Sequence, residues 1–137
     1  MNNQVKKEDP MRKSVLATLA VVLLSPILGL SQVSPRALAE IPFEFHAGTN
    51  VLPAGSYEFK PDVAGSVVRV VNTKSSETIM VPIVTRLSQR PGNEALVVFD
   101  RADNQYFLSE IHIPGMDGFH LAGAPGPHTH VTVKAKK

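Results

Sequence analysis

The chain has no cysteine, no tryptophan and only two tyrosines among its 137 residues. Without cysteine there are no disulfides, no thiolate nucleophiles and no thiolate metal ligands. A folded domain must then be held by its apolar core alone. Without tryptophan, and with only Tyr57 and Tyr106 as tyrosines, there is no platform of exposed planar rings for a stacked ligand. A surplus of one charge is also missing. The 14 Lys and Arg residues nearly balance the 12 Asp and Glu, for a net of +2.

Long apolar runs are scarce too, with one exception. Residues 14–30, SVLATLAVVLLSPILGL, are almost unbroken apolar sequence. They follow a polar start carrying Lys6, Lys7, Arg12 and Lys13, and they precede Ala37-Leu38-Ala39. A basic start, an apolar middle and a small-x-small end are the three parts of a secretory signal peptide. Residues 1–39 are therefore read as a signal peptide cut after Ala39, and residues 40–137 as a single domain. The alternative is an uncleaved anchor, which would be the chain's one contact with a membrane. The run is shorter than the roughly 20 residues a spanning helix wants, and Pro26 and Gly29 interrupt it. Such a leader places the product outside the cytoplasm, in the periplasm or the extracellular space.

The leader also carries the charge excess. Five basic residues (Lys6, Lys7, Arg12, Lys13, Arg36) and two acidic ones (Glu8, Asp9) leave with it, so 9 and 10 remain, a net of −1. Nothing here makes a basic face for nucleic acid or for anionic lipid.

Residues 40–137 read as short strands separated by Gly and Pro. At 40–46 Ile41, Phe43 and Phe45 alternate with Pro42, Glu44 and His46, the period-two pattern of a half-buried strand. Pro53 and Gly55 mark a corner before Tyr57 and Phe59. Further strands are expected at 67–71, 78–86, 95–99, 105–113, 119–122 and 128–135, with a turn at 100–104 and a frayed tail at Lys136-Lys137. Pro42 and Pro82, which lack an N–H, point to sheet edges or bulges. No helical period appears. About eight short strands with turn signals between them indicate an all-β fold, a small antiparallel β-sandwich or barrel.

The chemistry-bearing feature is histidine. Four of the five fall between positions 112 and 130. His128 and His130 sit two apart on a strand, so their rings leave the same face. His112, His128 and His130 are the candidate metal ligands, with Glu110 or Asp117 as a carboxylate partner and zinc or copper as the metal. The competing reading makes them solvated residues opposite Val131 and Val133. Gly123 to His130, GAPGPHTH, is locally similar to the His-x-His turn of cupin metal sites. The chain ends seven residues later, so a site in that order has no further strand to complete it. No catalytic residues are assigned. No serine stands in a G-x-S-x-G frame, no carboxylates are paired, and no phosphate loop opens a helix. An enzyme, a hydrolase for instance, is the reading least favoured.

IPFEFHAGTNVLPAGSYEF at 41–59 and ALVVFDRADNQYFLSEI at 95–111 together resemble a family of small exported bacterial all-β proteins of unknown function. Its marks are a signal peptide, an F-x-F strand, an LPAGxY turn and an LVF…YFLxxI hairpin. LPAGSYEF at 52–59 is the most specific match. The resemblance covers most of residues 41–113 and implies an all-β exported domain; it brings no activity or ligand. The expected function is a non-catalytic envelope binding or interaction module for an unknown envelope protein or small ligand, meeting its partner along the Pro42 or Pro82 strand. The alternative is a metal or small-ligand binder that uses the C-terminal histidines.

Overall fold

Alternating residues cut by turn formers become eleven β-strands among the described residues, with no helix between them. The computed structural model describes Gly29 and residues 33–137. The basic start and nearly all of the apolar run of the expected leader lie outside the described residues.

The first sheet has four antiparallel strands in the order β1 (Ala37–Ile41), β4 (Gly55–Asp62), β5 (Val67–Asn72), β6 (Thr78–Pro82). The second has the order β11 (Thr129–Ala135), β8 (Ala95–Ala102), β9 (Gln105–His112), β10 (Gly118–His120), β7 (Thr85–Leu87). It also holds the short hairpin β2 (Phe45–Ala47) and β3 (Asn50–Leu52), docked through a parallel pairing of His46 with Phe107. The expected all-β sandwich is present. It is not a closed barrel, although the sheets meet along one side. There Leu38 N–H donates to Lys136 O at 2.7 Å and Lys136 N–H donates to Leu38 O at 2.8 Å. Lys136, expected to fray, is part of this seam.

The two inner faces supply the core. Ile41, Tyr57, Phe59, Val68, Val70 and Val81 meet Phe45, Val97, Phe99, Leu108, Ile111 and Leu121, all buried. The aromatic rings pack edge to face, Phe45 on Tyr57 at 5.1 Å and on Phe99 at 5.2 Å between centroids, the arrangement that ring quadrupoles favour. Phe43 lies half-buried over Tyr106, at 3.7 Å and nearly parallel.

Three expectations need correction, each for a backbone reason. Residues 40–46 are not one strand. Pro42 to Glu44 leave the ladder and carry the chain from the first sheet to the second, so Pro42 marks a crossing and not an edge. Residues 78–86 likewise divide at Ile83-Val84, and the two halves join different sheets; Pro82 does lie on an edge strand, β6. In β9 the simple alternation fails at a bulge. Val98 pairs with Glu110 but Phe99 pairs with Leu108, leaving Ser109 as the extra residue. The bulge turns Leu108 to the core alongside Ile111 and Ile113, while Ser109 and Phe107 stay out of it.

The expected boundary after Ala39 falls inside β1. The strand pairs with β4 from Ala37 opposite Phe59 to Ile41 opposite Gly55. Its inward side chains are Ala37, Ala39 and Ile41, exposed by 0%, 7% and 1%.

Tyr57 combines ring burial with a polar tip whose hydroxyl donates to Pro53 O at 2.6 Å. Burial pushes its phenol above the ordinary value of 10, aided by the charge of Glu77 and opposed by a hydrogen bond from Asn72. A phenol whose folded pKa is raised stabilises the fold fully below its unfolded value, and that contribution is lost as pH rises through the folded value. Tyr57→Phe should therefore cost about 1 kcal/mol at neutral pH through the lost hydrogen bond. It should also blunt the fall in melting temperature as pH rises above about 10. Thermal melts of both chains across that range check the two effects together.

Candidate metal centre

A two-residue turn sets up the site. Asp103 and Asn104 have φ of 50° and 61°, the left-handed pair a type I′ hairpin requires. Ala102 consequently pairs with Gln105 and β8 runs straight through Asp100. The sequence reading ended that strand at 99 and put Asp100 in the turn. In the ladder, Val97 and Phe99 face the core, and Asp100 faces the opposite way with Val98.

β11 lies antiparallel beside β8 with His130 directly opposite Asp100. His128 is two residues earlier and so shares the face. β8, β11 and the residue just ahead of β11 thus bring one carboxylate and two imidazoles together on the outer side of the second sheet. One ligand atom from each of the three lies within 4.8 Å of the others.

The loop at 121–128 folds back over this face. Gly123 holds φ +63°, and a Cβ there would come within 3.0 Å of Asp100 Oδ2 and to 3.2 Å of Ser109 Oγ. Only glycine fits without displacement. Ala124 N–H then donates to Asp100 Oδ2 at 3.0 Å. Under this cover Asp100 is only 3% exposed, and a buried carboxylate costs several kcal/mol unless it is compensated.

The second oxygen is less well provided for. Asp100 Oδ1 is buried and makes no hydrogen bond. His130 Nδ1 lies 3.0 Å from it and His128 Nε2 lies 3.5 Å from it, close enough for charge attraction but outside hydrogen-bond geometry. Meanwhile His128 Nδ1–H donates to Gly126 O at 2.8 Å. That bond assigns the proton to Nδ1 and leaves Nε2 as an unprotonated nitrogen 3.5 Å from Asp100 Oδ1. An imidazole held by a backbone carbonyl through its other nitrogen is the usual support of a metal-ligating histidine. A proton or a metal ion between these ring nitrogens and Oδ1 would offset the buried negative charge.

The donor set is two nitrogens and one carboxylate oxygen. It suits borderline first-row ions such as Zn²⁺ and Cu²⁺ better than Mg²⁺ or Ca²⁺. Around a tetrahedral zinc with bonds near 2.1 Å, ligand atoms stand about 3.4 Å apart. The two separations from Oδ1 bracket that value. Burial of the rings is uneven: the His128 side chain is 29% exposed and that of His130 is 59%, so the centre opens to solvent on one side.

His112, expected as a third ligand, is not in this group. It pairs across from Leu96, four residues along β8 from Asp100 and so about 13 Å away. Its Nε2 lies 2.8 Å from Glu110 Oε2, which occupies both His112 and the carboxylate proposed to join it. His112 Nδ1 is buried without a partner, tucked where a Cβ on Gly118 would come within 3.0 Å. Asp117 is exposed in the turn before β10 and joins no ligand group among the described residues. His46 stacks on Phe107 at 4.5 Å. The candidate ligand that sequence reasoning missed is Asp100. Its signal was the Asp-Asn pair at 103–104, which predicts a tight hairpin and hence a longer β8.

In comparisons with known proteins, no family model, curated protein or solved structure matches this chain.

The cover over Asp100 is open to a direct check. Gly123→Ala should destabilise the fold by more than about 1 kcal/mol, since it adds strain at positive φ to a collision with Asp100. Gly126→Ala also sits at positive φ, but its Cβ meets nothing within 4 Å, so it isolates the strain. Urea unfolding of the two variants should show the larger loss at Gly123.

Proposed function

We propose that this chain is an exported β-sandwich domain that binds a first-row transition metal, Zn²⁺ or Cu²⁺, through Asp100, His128 and His130. One observation carries the reading: a buried carboxylate oxygen without a hydrogen bond, near two imidazole nitrogens, one on the adjacent strand β11 and one just ahead of it. Asp100 supplies a fixed anion held by Ala124 and enclosed by Gly123. His128 arrives with its tautomer set by Gly126 O. His130 is the more solvent-exposed ligand. Three protein ligands leave a fourth position for water or an outside donor. A site so open favours exchangeable binding over a permanent structural ion.

Export rests on the leader-like residues 1–39 and fits the lack of any thiol ligand, since imidazole and carboxylate survive an oxidising compartment unchanged. The family resemblance at LPAGSYEF points the same way.

A second reading, the envelope interaction module, has one feature in its favour. β6 ends the first sheet and pairs only with β5 among the described residues, and it carries Met80 60% exposed. An open strand edge with an apolar side chain can accept another chain's strand, though Pro82 blunts one end of it.

The test is calorimetric titration of the purified protein with Zn²⁺ and with Cu²⁺, beside native mass spectrometry of protein taken from its own envelope. One ion per chain is expected. His128→Ala combined with His130→Ala should abolish binding, Asp100→Asn should weaken it at least about tenfold, and His120→Ala should leave it unchanged. The absence of any binding heat at micromolar metal would sink the metal reading. A co-purified protein lost on blocking the β6 edge would favour the second.

A further inference from the structure

We infer that the leader is removed upstream of β1, after Ser31, and that Ala37-Leu38-Ala39 is a folded strand and not a processing signal. The inference rests on the export reading above.

The triplet Ala37-Leu38-Ala39 has the residue pattern a signal peptidase selects, which is why the sequence alone points to it. The structure gives each of its residues another task. Ala37 and Ala39 are the small inward residues of β1, 0% and 7% exposed, set opposite the bulky Phe59 and Tyr57 in the ladder with β4. Alanine is needed there because the rings on the partner strand fill the space. Leu38 bonds in both directions with Lys136 and so joins the two sheets. Just ahead of the strand, Arg36 Nη1 reaches Glu58 Oε1 at 3.8 Å.

Hydrolysis of the 39–40 bond would remove three of the five β1 residues. It would leave Phe59 and Tyr57 without their cross-strand cover, and Lys136 without its partner. The β4 and β11 edges facing the seam would then carry unpaired N–H and C=O groups, the condition that invites edge-to-edge association.

The sequence holds a second small-x-small triplet, Gly29-Leu30-Ser31. It stands directly at the end of the apolar run, five to three residues after the helix-breaking Pro26. Taking it as the recognition triplet leaves an apolar segment of 14 residues, 15–28, inside the range of about 7–15 for a signal peptide; the 17-residue run exceeds that range. Hydrolysis of the 31–32 bond then leaves Gln32 to Arg36 as a short lead into an intact β1. Apart from Gly29, that triplet lies outside the described residues, so its assignment comes from the sequence and from the strand it spares.

The full 137-residue precursor should be produced in a bacterial host, the envelope and cytoplasmic fractions separated, and the intact mass and N-terminal peptide of the product determined. The expected product lacks residues 1–31 and begins at Gln32, with or without loss of ammonia from that glutamine. Ser31→Tyr should leave full-length precursor and yield no product that begins at Glu40. A wild-type product beginning at Glu40 overturns the inference while leaving export standing. An envelope-bound chain still starting at Met1 overturns it as well, in favour of an anchor. A chain found wholly in the cytoplasm overturns both the inference and the export reading beneath it.

Discussion

The whole sandwich turns on the reciprocal pair of backbone hydrogen bonds between Leu38 and Lys136. A chain without disulfides must join its two sheets by packing and strand pairing alone, and these residues come from opposite ends of the described segment. On one side of the seam β1 continues into β4, β5 and β6; on the other β11 continues into β8 and β9. The chain links the opposite edges, β6 and β7, by the direct crossing at Ile83-Val84, and crosses once more at Pro42 to Glu44 from β1 itself. Those crossings tether the sheets covalently, whereas the β1–β11 seam has to be made by folding. Most of the contacts that close it are therefore distant in sequence, which places the fold among slower topologies.

Much of this architecture was legible from residue alternation. Ile41, Phe45, Tyr57 and Phe59 lie in the core where period two put them. Alternation fails where the backbone departs from it. The bulge at Ser109 reverses the faces of β9, and nothing in QYFLSEIHI marks the extra residue, because Leu108 and Ile111 are apolar on either phase. The division of 40–46 and 78–86 into two strands each was hidden for a related reason. A strand that changes sheets keeps its inward residues inward, so the apolar pattern runs unbroken through the crossing.

The candidate centre divides the same way. His128 and His130 are legible because they share a phase, His128 standing just ahead of β11 and His130 within it. His112 was grouped with them by proximity in sequence, but sequence distance along a sheet says little about distance across it. In space it belongs with Glu110, while Asp100, 28 and 30 residues before the two histidines, lies beside them through the β8–β11 register. Pairing of distant strands is a tertiary fact. The only local clue was the Asp103-Asn104 turn, whose positive φ values extend β8 by the residues that carry Asp100 into the ladder.

Seam and centre share one element. β11 holds His130 against Asp100 near its start, and Lys136 meets Leu38 just beyond its end, with the ladder to β8 unbroken from Thr129 to Ala135 between them. An ion held by both strands would cross-link β11 to β8 at the end far from the seam. Because these side chains converge only when β11 is paired, such an ion would bind the folded chain and not the unfolded one. It would add stability by mass action, about 2.7 kcal/mol when free metal stands at 100 times its dissociation constant. A domain with no cysteine would thereby gain a staple that its sequence otherwise denies it. The staple would be reversible, tightening the C-terminal strand when metal is present and relaxing it when metal is withdrawn.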